Sequence, residues 1–215
     1  MLIIGAKGFA TEVLDVFNQK NMKINLAFYD DVNKDIGRLL YDTYPILRTQ
    51  KEVLAFFEKN GNEFTIGIGK PFLRNMIALK FEKLGGKLES AISPNAFIGQ
   101  YDIQLGEGLV ILNGVNISNN VRIGKGTMIY YNAIITHDCK IGEFVEISPN
   151  VIILGRVSVG SFTHLGANCT ILPNLNIGKN VIIGAGAVVT KDVPDNSMAI
   201  GVPAKIVKNL EPLNF

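Results

Sequence analysis

An aliphatic residue recurs at every sixth position through much of this chain. From Leu105 to Val189 each sixth residue is Leu, Ile or Val, and a smaller apolar series runs two residues earlier. Glycine follows the first series at every eighteenth residue, from Gly106 to Gly178. Because a period of six fits neither a helix nor a long alternating strand, it indicates a repeated unit of short strand and turn.

Three such units can close a triangle, so each predicted coil is 18 residues long. Stacked coils bury a continuous column of branched side chains, and each coil pairs its strands with those of its neighbours. The glycines then stack at one corner, where a missing Cβ permits φ > 0 or close backbone approach. The sequence therefore predicts a parallel β-helix. The pattern does not fix its handedness, although the general crossover rule favours a right-handed path.

The first 90 residues alternate between strand and helix patterns. Strands are predicted at residues 2–5, 24–29, 64–68 and 88–92, and helices at about 10–17, 50–59 and 71–84. In the third helix we expect Leu73, Ile77, Leu79, Phe81 and Leu84 as the apolar anchors. This alternation predicts a small parallel sheet with helices, so we expect a Rossmann-like domain over residues 1–90 and the β-helix over 91–215.

A glycine turn follows the first predicted strand. Gly5 and Gly8 lead into the first helix, where backbone N–H groups and a helix N-terminus favour a phosphate. Asp30 and Asp31 end the second strand, where a ribose hydroxyl is often held. The turn lacks two glycines of the dinucleotide motif, which disfavours NAD. Two interpretations stay open: a single-nucleotide site, which we favour, and glycines that merely permit a tight turn.

The chain has two histidines. His137 lies two residues past an inward position and is expected on a turn or outer face, next to Asp138. A carboxylate beside an imidazole can fix its tautomer and support general-base catalysis. Asp138 is the first candidate for that carboxylate and Glu146 the second. His164 should point outward from a strand, either as an exposed histidine or as the alternative base.

Composition excludes several functional classes. A net charge of +2 gives no support for nucleic-acid binding or a polybasic membrane anchor. No apolar run suits a bilayer-spanning helix, and the first residues do not resemble a signal peptide. Cys139 and Cys169 fall in the smaller apolar series, so we expect free core thiols and a reducing cytoplasm. No metal site is predicted.

The repeats resemble those of the bacterial hexapeptide-repeat acyltransferases. Residues 121–126 and 175–180 are similar to that family's repeat, and residues 201–205 resemble its exit from the last coil. A half-Rossmann domain ahead of the prism is more specifically similar to the NeuD/PglD-type sugar acetyltransferases, over essentially the whole chain. The resemblance implies a left-handed β-helix, acetyl-CoA as donor, and a homotrimer with active sites between subunits.

The resemblance also implies roles for individual residues. His137 and Asp138 match the catalytic pair, and Phe9 stands where that family commonly has a histidine near the sugar. Lys70 either adds a cation near the phosphate or is a solvated loop lysine. The matches for the nucleotide-linked sugar, usually a UDP sugar in that family, are Gly5, Lys7, Gly8, Asp30 and Asp31. The matches for acetyl-CoA are Glu146, Gly155, Ala167, Ala185, Thr190, Lys191 and Lys205.

The implied activity is N-acetylation of a nucleotide-linked, usually UDP-linked, amino sugar in bacterial surface-glycan biosynthesis. No Ser or Cys is placed as a nucleophile, so we expect direct transfer within a ternary complex. Two alternatives remain. Phe9 in place of the histidine leaves open O-acetylation of a sugar or a sialic acid. A non-catalytic prism, whose nucleotide domain only binds, is the alternative of a different class.

Overall fold

The structure, a computed structural model, describes residues 1–20 and 25–214. Its first part holds a six-stranded sheet of order β3-β4-β2-β1-β5-β6, in which only the β3–β4 pair is antiparallel. In chain order the elements are β1 (Leu2–Ile4), α1 (Phe9–Gln19), β2 (Ala27–Tyr29), β3 (Leu39–Leu40), β4 (Tyr44–Leu47), α2 (Gln50–Asn60), β5 (Glu63–Ile66), α3 (Pro71–Lys83) and β6 (Lys87–Leu88).

The α/β alternation is confirmed, with differences in detail. The predicted strand 24–29 is observed over Ala27–Tyr29, and residue 24 lies outside the described residues. Strands β3 and β4 were not predicted. Strand β3 has only two residues, and Pro45 interrupts the strand pattern of β4. The single strand predicted at 88–92 is two strands, because the chain leaves the first sheet after β6 and enters the prism at Ala91.

Helix α3 buries only part of the apolar set predicted for it: Phe81 is buried, and Ile77 and Leu84 pack partly buried against the same core. Leu73 and Leu79 are 41% and 48% exposed, whereas Arg74, Ala78 and Phe81 are buried. These three buried residues are spaced four and three positions apart, so they lie on one face of the helix. That buried face therefore contains an arginine beside its apolar residues. The prediction of Leu73 and Leu79 as anchors was therefore wrong, because the face that meets the prism needs hydrogen-bond donors as well as apolar contact.

Residues 91–214 form a left-handed β-helix, a three-faced prism of very short parallel strands that ends in an antiparallel hairpin, rather than following the right-handed path of the general rule. The first face contains β7 (Ala91–Ile92), β10 (Val110–Ile111), β13 (Met128–Ile129), β16 (Glu146–Ile147), β19 (His164–Leu165), β22 (Ile182–Ile183), β24 (Ser197–Gly201) and β25 (Ala204–Asn209). The second contains β8 (Phe97–Ile98), β11 (Asn116–Ile117), β14 (Ile134–Ile135), β17 (Ile152–Ile153), β20 (Thr170–Ile171) and β23 (Val188–Val189). The third contains β9 (Gln104–Leu105), β12 (Arg122–Ile123), β15 (Lys140–Ile141), β18 (Ser158–Val159) and β21 (Asn176–Ile177).

Both apolar series point into the prism and form one continuous core. Leu105, in the first coil, is an exception with 36% exposure. The stacked glycines serve close approach and not positive φ: a Cβ on Gly124 would lie 2.6 Å from the carbonyl carbon of Gly142. The prediction that these glycines stack at one corner and permit close backbone approach is thus confirmed, and the alternative of positive φ is not observed.

Left-handed backbone conformations occur at every sixth residue of the prism and were not predicted. They are held by residues of mixed chemistry, with asparagine, aspartate and glycine the types that best tolerate φ > 0. The positions are Asp102, Gly108, Gly114, Asn120, Gly126, Asn132, Asp138, Phe144, Asn150, Arg156, Phe162, Asn168, Asn174, Asn180 and Gly186.

The α/β part packs against the first face of the prism. Val110, Leu112 and Met128 of that face share one buried cluster with Val13 and Phe17 of α1. Strand β6 belongs to the first sheet and β7 to the prism, while the domain boundary at about residue 90 stays a prediction. The opposite edge of the prism, where the second and third faces meet, is on the far side from this contact.

Among residues 1–20 and 25–214, no helix combines the length and apolarity that crossing a bilayer requires. Cys139 and Cys169 are buried and unpaired.

Candidate active site

His137 and Asp138 lie in the turn between β14 and β15, at the corner where the second and third faces meet. Asp138 occupies one of the left-handed positions, with φ of 62°, which turns the chain sharply after the histidine. The side chain of His137 is 52% exposed. Since the two residues precede a strand whose isoleucine is anchored in the core, the rigid coil holds the pair at its outer edge.

The His137 imidazole is oriented by a carboxylate. Nδ1 of His137 lies 2.7 Å from Oδ2 of Asp138, and Nδ2 of Asn120 donates to the other oxygen at 3.1 Å. The hydrogen bond from His137 lowers the pKa of Asp138, and the bond from Asn120 lowers it further. An ionised carboxylate only accepts, so Nδ1 of the neutral ring carries the hydrogen and Nε2 has a free lone pair. The arrangement suits a general base.

Gly155 makes room for the same ring one coil further along. A Cβ at this position would lie 2.6 Å from Cε1 and 2.8 Å from Nε2 of His137. Its φ lies outside the left-handed region, so space rather than backbone conformation distinguishes this glycine.

Cys139, the next residue after the pair, points inward. Its Sγ lies 3.3 Å from the carbonyl oxygen of Leu154, and burial raises the pKa of the thiol. A raised pKa disfavours the thiolate, which is the nucleophilic form. This geometry does not suit a covalent acyl-cysteine.

A second candidate region is a cavity of about 560 Å³ in the α/β part. It is bordered by the glycine turn, the ends of β2 and β5, and one side of α3 from Leu73 to Phe81. Of the residues predicted to bind a nucleotide, it is lined by Gly5, Lys7, Gly8, Phe9, Asp30 and Asp31. Lys70 is exposed as the N-cap residue of α3 and does not line this cavity.

The two predicted aspartates differ in availability. Both carboxylate oxygens of Asp30 accept hydrogen bonds within its own loop, from the N–H groups of Val32 and Asn33 and from the Asn33 amide. The side chain of Asp31 faces Tyr29 and Lys80 instead, at 2.8 and 3.3 Å. A ribose contact in this cavity would therefore fall to Asp31.

Lysine charges near the cavity come from two residues. Lys7 is exposed and paired with Asp35 at 2.6 Å. Lys80, which the sequence did not single out, lines the cavity above the Tyr29 ring. Burial raises the pKa of Asp31, but the Tyr29 hydroxyl and the Lys80 charge outweigh it, so that pKa falls below its usual value.

Phe9 connects this cavity to the prism. Its ring lies 4.9 Å from that of Tyr130, between centroids, on the first face. Phe9 therefore lines a cavity whose lining residues belong to the α/β part, and it also contacts the prism.

A polar cluster lies on the first face beside that joint. His164 Nε2 is 3.0 Å from the Ser148 hydroxyl and 3.7 Å from a carboxylate oxygen of Glu146. Glu146 lies on β16 and His137 at the opposite corner, so Glu146 is not the carboxylate that orients His137. His164 projects from β19, as predicted, and is 36% exposed.

The remaining residues that the resemblance assigned to acetyl-CoA are spread along the prism. Ala167 and Ala185 follow first-face strands, at the corner between the first and second faces. Lys191 and Lys205 are exposed near the C-terminal hairpin of β24 and β25. A single chain therefore brings Gly155 to His137 but leaves Ala167 and Ala185 at a different corner.

No group of His, Cys, Asp and Glu side chains within the described ranges is arranged to hold a metal ion.

Comparison with sequence families gives two matches. Residues 1–81 match the PglD N-terminal domain. Residues 120–155, 138–173 and 156–191 match the bacterial transferase hexapeptide, described as six repeats. No curated protein matches the sequence significantly.

Several solved structures are similar over nearly the whole chain. A variant of perosamine N-acetyltransferase from Caulobacter crescentus, in complex with CoA and GDP-perosamine, is 30% identical, with a TM-score of 0.87 over 97% of this chain and 96% of that one. The acetyltransferase domain of PglB from Neisseria gonorrhoeae, in complex with acetyl coenzyme A, is 25% identical, with a TM-score of 0.86 over 96% and 98%. WeeI from Acinetobacter baumannii is 29% identical, with a TM-score of 0.79 over 96% and 98%.

Proposed function

Because the chain belongs to the sugar acetyltransferases of the hexapeptide-repeat superfamily, we propose that it transfers an acetyl group from acetyl-CoA to the amine of a nucleotide-linked amino sugar. The observation that carries the proposal is the His137–Asp138 pair, held at a rigid corner where no described residue hydrogen-bonds to Nε2 of the histidine. The similarity to a perosamine N-acetyltransferase supports an amine as the acceptor.

The proposed chemistry needs only side chains that the fold places at this corner. The sugar amine attacks the thioester carbonyl, a C–N bond forms and the C–S bond breaks. The amine proton passes to Nε2 of His137, and the CoA thiolate leaves and takes up a proton. Asp138 stabilises the imidazolium that forms. Since Cys139 is buried with a raised pKa, transfer is direct and has no acyl-enzyme step.

The cavity in the α/β part is the proposed site for the nucleotide. Gly5 and Gly8 let the backbone approach a phosphate at the start of α1. Asp31 and Lys80 offer a hydrogen-bond acceptor and a cation to the nucleoside and its phosphates. The nucleotide base is left open between uracil, usual in the resembled family, and guanine, which the Caulobacter enzyme binds. Surface-glycan biosynthesis in the cytoplasm is the proposed setting.

We further propose a homotrimer with each active site between two subunits. The cavity adjoins the first face, and His137 lies at the corner opposite that face. One chain therefore does not bring its own base to its own acceptor. Acetyl-CoA would lie between the Gly155 corner of one copy and the Ala167 and Ala185 corner of the next, with Lys191 and Lys205 near its phosphates.

The test is a thiol-release assay with acetyl-CoA and a panel of UDP-, GDP- and dTDP-linked amino sugars, including GDP-perosamine. We expect turnover with at least one amino sugar. The His137→Ala variant should lose about 10²- to 10⁴-fold in rate, the usual contribution of a general base. Activity retained within a few-fold would remove His137 from the mechanism. No release with any panel member, although acetyl-CoA binds, would contradict the proposed function.

A further inference from the structure

Glu146 presents a nearly buried carboxylate for which the structure shows little compensation. Its side chain is only 16% exposed. Among the described residues no donor reaches it within hydrogen-bond distance, and His164 Nε2 stands 3.7 Å away. Burial lowers the pKa of Arg74 and the nearby Glu146 charge opposes that lowering, but the Arg74 guanidinium donates its hydrogen bonds to backbone carbonyls. A carboxylate that lacks a donor in this part of the chain can accept a charge-assisted hydrogen bond from a ligand that carries N–H groups.

This carboxylate adjoins the proposed nucleotide cavity. Gly69 lines the cavity, and a Cβ on it would lie 3.8 and 3.9 Å from the two oxygens of Glu146. Phe9 lines the same cavity and packs on Tyr130 of the first face, whose own pKa the Glu146 charge helps to raise. Glu146 thus stands where the cavity of the α/β part meets the prism.

Two further polar groups share this place. Ser148 and His164 are hydrogen-bonded to each other at 3.0 Å, and both lie on the first face with Glu146. The hydroxyl can accept from a ligand N–H, and the half-exposed imidazole can face a sugar hydroxyl. A carboxylate flanked by two such groups matches the chemistry of a sugar that carries an amine.

We propose that Glu146, with Ser148 and His164, binds the acceptor amine as an ammonium and thereby selects amino sugars over hydroxyl sugars. The inference rests on the proposed function and deepens it, since it concerns the acceptor side of the same site. This role for Glu146 differs from the one implied by the family resemblance, which was binding of acetyl-CoA. The ammonium loses one proton to solvent before attack, and the amine loses its second proton to Nε2 of His137 of the neighbouring copy as the C–N bond forms.

The test compares Glu146→Gln with the wild-type enzyme on the amino sugar nucleotide that the panel identifies. Glutamine keeps the shape and removes the charge. We expect the KM of the amino sugar to rise about tenfold or more, the effect of losing one charge-assisted contact. The KM of acetyl-CoA and the Kd of the free nucleotide should stay within about twofold. The matched sugar nucleotide with a hydroxyl for the amine should inhibit both proteins equally. Glu58→Gln, an exposed glutamate on α2, is the control.

The kinetic constants of the Glu146→Gln variant separate a failure of this inference from a failure of the proposed function. An amino sugar KM that stays within about twofold would overturn the inference and leave the proposed function intact. A rise in the KM of acetyl-CoA alone would return Glu146 to the acetyl-CoA site. A lower melting temperature with every kinetic constant changed alike would make the role structural. Absence of turnover by the wild-type enzyme across the panel would instead overturn the proposed function itself.

Discussion

At the scale of single residues, the candidate base depends on two positions one coil away from it. Asn120 and Gly155 each stand 18 residues from a member of the His137–Asp138 pair, which is the length of one coil. Asn120 holds the carboxylate and Gly155 leaves space for the ring. The pair is thus pre-oriented by the stack of coils.

Asn120→Ala should raise the pKa of Asp138 toward its usual value, because it removes a hydrogen bond to the charged form. The lowered folded-state pKa means that Asp138 contributes stability above its unfolded-state pKa. That contribution is lost as the pH falls through the folded value. Carboxyl NMR titration of both proteins would measure the shift. An unchanged pKa would mean that the Asn120 bond is not formed in solution.

Gly155→Ala should displace the His137 ring and lower kcat by at least about tenfold, because its Cβ would enter the space of Cε1 and Nε2. Gly37→Ala is the matched control, since a Cβ there meets nothing closer than 4.0 Å. Steady-state kinetics and circular dichroism would separate lost orientation from lost fold. A fully active Gly155→Ala enzyme would show that the ring tolerates movement.

At the scale of elements, helix α3 fastens the α/β part to the prism through Arg74. The guanidinium donates to the carbonyls of Gly126 and Val145 on the prism, at 3.1 and 2.9 Å, and to that of Gly69 in its own part. Burial lowers the pKa of Arg74 to about 10, so it remains charged at neutral pH. The residue ties the wall of the nucleotide cavity to the coils that carry Glu146.

Arg74→Met should lower the free energy of unfolding by about 3–5 kcal/mol, because it leaves the buried carbonyls of Gly126, Val145 and Gly69 without their donor. Arg38→Met is the control: Arg38 is an exposed partner of Glu52 and should cost less than about 1 kcal/mol. Urea denaturation of the two variants gives the comparison. Equal, small costs would mean that Arg74 does not fasten the two parts.

How much the sequence could predict differs between elements. The prism followed from the six-residue period, because every coil repeats the same inward positions. The left-handed conformation of the turn residues was not predicted, because residues as different as Asp138, Phe144 and Arg156 adopt it. Helix α3 was located correctly, yet its buried arginine could not be predicted because its carbonyl partners belong to distant coils.

The candidate site was predictable to a similar, partial extent. His137 and Asp138 are adjacent in sequence, so their contact needed no tertiary information. Glu146 and His164 are 18 residues apart, which is the length of one coil, and they pair on adjacent strands. Their proximity could therefore have been predicted from the coil length. Lys80 could not be found in this way, because only the folded α/β part brings it over Tyr29.

At the scale of the whole molecule, the proposed reaction requires more than one copy of the chain. The proposed nucleotide cavity belongs to the α/β part, which packs on the first face of the prism, whereas His137 lies at the corner opposite that face. A ring of identical subunits, each facing the next in the same sense, would place the base of one copy beside the cavity of its neighbour.

Co-expression of two inactive variants tests this arrangement. His137→Ala removes the base, and Leu73→Trp fills the cavity from an exposed position on α3. Random assembly from equal amounts should regain about a quarter of the wild-type activity across all trimers, since each mixed trimer has about one interface in three that pairs an intact cavity with an intact histidine. Each variant expressed alone should stay inactive. A mixture as inactive as its parents would place base and acceptor within one subunit.

The most direct measurement is the identity of the acetylated product formed from acetyl-CoA and an amino sugar nucleotide. Mass spectrometry before and after mild base distinguishes an amide, which survives, from an ester, which is cleaved. The account predicts a base-stable N-acetyl product from the wild-type enzyme and almost none from His137→Ala in the same time. A base-labile ester, or equal yields of product from both proteins, would contradict it.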